Sequence, residues 1–103
     1  MNVITPGHKY ALKNFENGVE EQVLQFIEKK PVFTSAGKLE TVNDGTTNEE
    51  VLAMLIDRLR FLGEKLPSRE NSIAITKCEE ALLWLNKRTA DRKARSVEGT
   101  SLA

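Results

Sequence analysis

The chain has 103 residues, of which 40% are hydrophobic and 29% charged, and its formal net charge is zero. These values are typical of one globular domain and argue against wholesale disorder. The apolar runs are far shorter than the roughly 20 residues that a membrane helix needs, and the first residues lack the pattern of a secretory signal. We therefore expect a single cytoplasmic domain over residues 1–103.

Reactive side chains are few. The sequence contains one histidine, His8, in an N-terminal stretch that we expect to be mobile, and one cysteine, Cys78. Nucleophilic catalysis needs a nucleophile, a base and an orienting group, and a structural zinc site needs four ligands. The glycines form neither a P-loop nor a dinucleotide fingerprint. We therefore expect no enzyme activity, no metal and no cofactor.

Residues 1–45 carry the signals of short antiparallel strands. A segment around Tyr10 is followed by the turn signal Asn17-Gly18 and then by a second apolar segment over residues 22–28. The apolar spacing over residues 19–27 also fits a helix that opens at Asn17. We favour the β-hairpin because Pro31 follows closely. Residues 31–42 predict two more extended pieces, joined by a turn at residues 35–37.

Residues 46–95 predict an antiparallel helical hairpin. Thr47 and the glutamate three positions later form a capping box, so the first helix should start at Asn48. Gly63 is predicted to end it as a left-handed C-terminal cap. Ser68 is a good N-cap for a second helix from Arg69, and the short connection makes the helices antiparallel neighbours. Residues 96–103 are predicted to be a mobile tail. The fold class is therefore α+β.

Each predicted helix has an apolar stripe for its partner helix. The stripes consist of Val51, Leu52, Leu55, Leu59 and Leu62 in the first helix, and of Ala74, Ile75, Cys78, Ala81, Leu82 and Leu85 in the second. Other large apolar side chains lie off these stripes, namely Met54, Ile56, Leu83 and Trp84. Since a lone hairpin cannot cover both sets, the pattern predicts self-association.

Charge is unevenly distributed. Residues 1–57 hold five basic and nine acidic side chains, whereas residues 58–95 hold ten and five. Arg88 and Arg92 are four residues apart on one helical face, where two guanidinium groups could bind phosphate oxygens, with Lys87 beside them. Arg58 adds a charge on the first helix. Cations near a helix C-terminus also simply complement the helix dipole, so both readings stay open here.

The hairpin sequence resembles a known family. Residues 43–59 and 69–88, above all the run Ala74-Ile75-Thr76 followed by Glu79-Glu80-Ala81 and Trp84 and ending in basic residues, resemble the helical-hairpin domain of phage anti-CBASS and Thoeris anti-defence sponge proteins. Longer members of that family carry β-structure ahead of the hairpin. The resemblance covers about half of the chain.

The resemblance implies a homo-oligomer, a hexamer, that binds immune second messengers without cleaving them. The implied ligands are cyclic di- and trinucleotides and cyclic ADP-ribose isomers. Shorter members use a tyrosine just before the first hairpin helix and a basic residue within it; the basic residue falls on Arg58, but residues 43–46 contain no aromatic. The C-terminal arginines of the family fit Arg88 and Arg92. The predicted ligand-binding set is Arg88, Arg92, Arg58, Lys87 and Asn48.

Two alternatives remain at this point. The first is a helical-hairpin module that oligomerises or binds another protein without a small-molecule ligand. The second is nucleic-acid binding through the basic helix end, against which the neutral net charge and the absence of a recognition motif argue.

Overall fold

The structure is a computed structural model, and it describes residues 1–16, 18, 20–33 and 37–95. Within these residues, five short strands precede two long helices, which confirms the predicted α+β class. The chain forms two compact units, residues 1–47 and 48–103, and the boundary lies where the first helix begins. The predicted tail, residues 96–103, falls outside the described residues. None of the described helices is long and apolar enough to cross a membrane.

The first unit contains an antiparallel three-stranded sheet. Its strands are β1 (Asn2–Thr5), β2 (Lys9–Leu12) and β3 (Gln22–Gln25), in the spatial order β1-β2-β3. The β2–β3 pairing confirms the predicted hairpin, so the alternative helix over residues 19–27 is wrong. Cross-strand packing favours the sheet, because the Tyr10 and Phe26 rings meet edge to face with centroids 5.9 Å apart.

The expected mobility around His8 is wrong. The His8 N–H donates to the Thr5 carbonyl at 3.0 Å, and the His8 carbonyl accepts from the Phe26 N–H at 2.7 Å. Gly7 makes this turn possible, since its φ of 78° lies in the left-handed region that glycine adopts without strain. The β1–β2 connection is therefore a tight turn bonded on both sides.

Two further strands form a separate ribbon. They are β4 (Glu28–Pro31) and β5 (Leu39–Asn43), which pair antiparallel in a two-stranded sheet. The second predicted piece is confirmed by β5, whereas the first is misplaced, because β4 ends at Pro31, where that piece was expected to begin. Of the predicted turn, Gly37 is described and has a φ of 76°, while residues 35 and 36 lie outside the described residues.

A tightly packed segment leads from β5 to the first helix. The Thr46 N–H donates to the Gln25 carbonyl, and the Ile27 N–H donates to the Thr46 carbonyl, both at 2.9 Å. A Cβ on Gly45 would lie 2.6 Å from the Phe26 carbonyl carbon and closer still to the Gln25 oxygen. Only glycine fits this backbone approach.

The first helix, α1, spans Asn48–Lys65, and the second, α2, spans Arg69–Ala94. Both predicted starts are confirmed, and Ser68 caps α2 by accepting the Asn71 N–H at 3.1 Å. The predicted end at Gly63 is wrong, because the helix continues for two residues beyond it. Gly63 has no left-handed φ; it lies where a side chain of α2 crosses α1.

The helices pack through a seam of residues spaced alternately three and four apart, the pattern of a coiled-coil interface. The half-buried or buried seam positions are Glu49, Leu52, Ile56, Leu59 and Gly63 in α1 and Asn71, Ile75, Cys78, Leu82, Leu85, Thr89 and Arg92 in α2.

The seam corrects the predicted stripes. Ile56, predicted to lie off the stripe, is only 5% exposed, whereas Leu55 and Leu62 are exposed on its flank. Ala81, predicted to face inward, is also exposed. The predicted outward position of Met54, Leu83 and Trp84 agrees with their exposure.

Candidate functional site

The C-terminal turns of α2 carry a dense group of cations. We call the group Lys87, Arg88, Arg92, Lys93 and Arg95 the basic end. Asp91 is the one acidic residue among positions 87–95. Because the carbonyl end of a helix carries partial negative charge, these cations are favourable for α2 itself. They give the last turns of α2 a net positive charge, which Glu49 and Glu50 in the first turn of α1, at the same end of the hairpin, partly offset.

The antiparallel packing brings the start of α1 to the level of the basic end. The register follows from the ion pair in which Arg60 Nη2 lies 2.6 Å from Glu79 Oε2. Counting equal numbers of residues along the two helices from this pair and from the Gly63–Asn71 contact places Asn48 at the level of residues 86–91, in the last turns of α2. The structure therefore brings four of the five predicted ligand-binding residues to one end of the hairpin: Asn48, Lys87, Arg88 and Arg92.

The cations at this end differ in their surroundings. Arg88 is exposed, whereas Arg92 is only 8% exposed and occupies the last position of the helical seam. The Lys87 ammonium lies 2.9 Å from Asp91 Oδ2, an exposed pair that contributes little to stability. Arg88 is thus open to an incoming anion, while Arg92 is largely buried in the helical seam.

Arg58 lies apart from the other four predicted residues. It is ten positions from Asn48, which is about 15 Å along the axis of α1 at 1.5 Å per residue. It also lies two positions from buried Ile56, about 200° around the helix, so it projects away from α2. Within a single hairpin, one ligand could contact both Arg58 and Arg88 only by spanning this separation.

The outer faces of the helices are apolar. Met54 and Phe61, which flank Arg58 on α1, are each 57% exposed, and Leu83 and Trp84 on α2 are 69% and 70% exposed. Trp84 and Leu83 line a shallow groove of about 450 Å³ together with Glu80 and Lys87. These side chains leave apolar groups exposed on the outer faces of both helices.

The comparisons with known proteins agree with this architecture. Residues 26–90, which span the β4–β5 ribbon and most of the helical hairpin, match the family described as Acb2/Tad1, hairpin domain. The chain belongs to this family. A relative named Thoeris anti-defense 1, from Bacillus phage SBSphiJ7, is 52% identical over an alignment of 77 residues, and the match covers 63% of this chain and 54% of the relative. The chain thus spans about half the length of that relative.

Sequence reasoning missed the contacts that fix the register of this Acb2/Tad1 hairpin. Asn71 Nδ2 donates to the Leu59 carbonyl at 2.8 Å, and the missing side chain of Gly63 leaves room for it. The Arg60–Glu79 pair adds a second cross-helix contact. An asparagine and a glycine at seam spacing were the available signal, since a polar residue among apolar seam positions often specifies register.

Proposed function

We propose that this protein is a phage anti-defence sponge, which binds cyclic nucleotide immune messengers and withholds them from the host effector without cleaving them. Membership in the Acb2/Tad1 family and the similarity to Thoeris anti-defense 1 support the anti-defence role. The observation that carries the binding role is the basic end beside the start of α1. The protein would act in the host cytoplasm during infection.

The chemistry of the basic end supports the ligand class that the family resemblance implies. Guanidinium groups bind phosphate oxygens through paired, charge-assisted hydrogen bonds, each worth about 1.5–3 kcal/mol. Exposed Arg88 would make the first of these contacts, with Lys87 and Arg92 adding charge and Asn48 a neutral donor. Cyclic di- and trinucleotides and cyclic ADP-ribose isomers share the required feature, two or more phosphates on a compact ring.

The positions of the cations favour a site that is shared between subunits. Arg58 projects away from α2, so in an isolated hairpin it is separated from Arg88. A second copy that packs on the exposed faces around Phe61 and Trp84 would bury apolar surface worth about 25 cal/mol per Å² and supply the missing side of a site. We propose that such copies assemble into the hexamer that the family resemblance implies.

A thermal-shift screen tests the ligand. The purified chain is heated with cyclic dinucleotides, cyclic trinucleotides and cyclic ADP-ribose isomers, with linear dinucleotide and adenosine monophosphate as matched controls. A messenger at a hundred times its dissociation constant should stabilise the fold by about 2.7 kcal/mol. Chromatography of the ligand released by denaturation should return it unaltered, because sequestration requires affinity and no bond cleavage. A chemically altered ligand would contradict the sponge mechanism.

The exposed apolar faces also favour a second candidate function, a protein-interaction module without a small-molecule ligand. The same thermal-shift screen distinguishes the sponge from the interaction module. If no cyclic messenger shifts the melting temperature while the protein still assembles, the interaction module is the better account.

A further inference from the structure

An open groove of about 330 Å³ runs between α1 and α2 on one side of the hairpin. We call it the interhelical groove. Its apolar floor includes Ile56, which is 5% exposed, and half-buried Leu82. Small-molecule sites have volumes of roughly 300–1,000 Å³ and combine apolar walls with a few polar groups. The interhelical groove therefore has the size and the floor for a small planar ligand.

Polar side chains stand at both ends of the interhelical groove. At one end the Arg60 guanidinium and the Glu79 carboxylate pair at 2.6 Å. Asn86 and the small side chain of Ala53 line the other end, seven residues away on each helix, which is about 10.5 Å at 1.5 Å per residue. Within the described part of the chain, the Asn86 side chain has no hydrogen-bond partner. Its amide is therefore available to a ligand in the groove.

The combination of floor and ends selects the chemistry of the ligand. An amide both donates and accepts hydrogen bonds, and asparagine pairs in this way with the polar edge of adenine. The Arg60–Glu79 pair offers donors and acceptors at the opposite end. A hydrocarbon chain or an aliphatic side chain of another subunit would cover the floor but displace water from these polar groups without replacing its hydrogen bonds, which is unfavourable. A flat ring with polar edges satisfies both the floor and the ends.

We propose that the interhelical groove is a subsite for a purine base, whose ring lies on Ile56 and Leu82 and whose edge pairs with the Asn86 amide. This inference rests on the proposed messenger binding and deepens it, because cyclic messengers carry nucleobases as well as phosphates. Lys93 of the basic end lies seven residues beyond Asn86, on the same face of α2. The groove therefore leads towards the cations that would hold the phosphates.

Binding of adenosine tests the subsite without any phosphate. Adenosine carries no charge for the basic end, so its binding reports on the interhelical groove and does not depend on the sponge mechanism. On titration to about millimolar adenosine, the side-chain amide signal of Asn86 in the NMR spectrum of the wild type should shift. In calorimetry, Asn86→Ala should weaken adenosine binding about three- to tenfold, the equivalent of one lost hydrogen bond.

Filling the groove gives a matched comparison. Ala53→Leu adds side-chain volume at the Asn86 end, and Ala81→Leu makes the same change at an exposed position of α2 that does not line the groove. Ala53→Leu should lower the affinity for adenosine at least about tenfold, because the ring and the added side chain compete for one space. Ala81→Leu should leave the affinity unchanged, and both variants should keep the wild-type size in light scattering.

Equal adenosine affinities for the wild type, Asn86→Ala and Ala53→Leu overturn the purine subsite. An Asn86 amide signal that adenosine does not shift overturns it too, and this readout decides the question if a variant does not fold. If Ala53→Leu changes the size of the assembly but not adenosine binding, another subunit fills the groove and the proposal is wrong.

The subsite and the sponge mechanism can fail separately. A protein that binds adenosine through Asn86 but binds no cyclic messenger keeps the subsite and contradicts the sponge. A protein that binds a cyclic messenger equally well with and without Asn86→Ala and Ala53→Leu keeps the sponge and contradicts the subsite.

Discussion

The contact between Asn71 and Leu59 gives a quantitative test of how the hairpin is held. Replacing Gly63 by Ala has two opposing effects. Alanine in a helix interior is favoured over glycine by about 0.8–1.0 kcal/mol. The new Cβ would lie 2.9 Å from Asn71 Nδ2, so the asparagine must move, and its hydrogen bond to the Leu59 carbonyl is worth about 0.5–1.5 kcal/mol. Gly63→Ala alone should therefore change stability little.

Asn71→Ala removes the obstacle. With no amide to displace, the added Cβ at position 63 should give its full gain of about 1 kcal/mol. The effect of Gly63→Ala should thus be larger in the Asn71→Ala background than in the wild type by about 0.5–1.5 kcal/mol. This difference is the coupling energy of a double-mutant cycle, in which the separate propensities of the substituted residues cancel.

Urea unfolding measures the cycle, followed by far-UV circular dichroism and by the fluorescence of Trp84, the single tryptophan, which lies on α2. All four proteins are compared at one concentration, because assembly makes stability concentration-dependent. Ala53→Gly, at an exposed position of α1, is the control and should cost about 1 kcal/mol in both backgrounds. If Gly63→Ala changes the free energy of unfolding equally with and without Asn71, the hydrogen bond from Asn71 to Leu59 does not hold the helices in register.

Three further predictions follow from the structure. Gly45→Ala should destabilise the fold by about 1–3 kcal/mol in thermal unfolding, because a Cβ overlaps the Gln25–Phe26 backbone, and an unchanged melting temperature would disprove that close approach. Trp84→Glu should give a smaller species in size-exclusion light scattering, since it charges an exposed apolar face; a monomeric wild type at micromolar concentration would contradict self-association. Arg88→Ala should weaken messenger binding about ten- to a hundredfold in calorimetry, while Arg69→Ala at the far end of α2 should not, and equal affinities would remove Arg88 from the site.

The elements marked by local chemistry were predictable from the sequence. Thr47 and Ser68 predict the starts of α1 and α2, because helix capping depends on residues within one turn of each other. Pro31 and the turn signal Asn17-Gly18 likewise favoured strands over a helix where the apolar spacing alone fitted both, although Asn17 itself lies outside the described residues. Strand β1 escaped prediction because it is stabilised by pairing with β2 and lies on an exposed sheet edge with little local signal.

The packing of the helices was less predictable, for a physical reason. Apolar residues lie on several faces of α1, so Leu55 and Ile56 fit a helical stripe equally well. Packing against α2 decides that Ile56 is the buried one. Gly63 was ambiguous in the same way. A glycine near a helix end serves either as a left-handed cap or as a space for a crossing side chain, and Asn71 decides between them from eight residues away.

The candidate site was only partly recoverable for a related reason. Spacing alone puts Arg88 and Arg92 on one face, and the antiparallel register adds Asn48. The sequence does not reveal that Arg92 ends the seam and is buried, or that Arg58 projects away from α2 among exposed apolar side chains. A cation placed there is poorly located for a ligand of its own hairpin and well located for one held by a neighbour. If Arg58 takes part in binding, assembly and affinity should therefore be linked, because a subunit contact that covered Phe61 and Met54 would also complete the anion site.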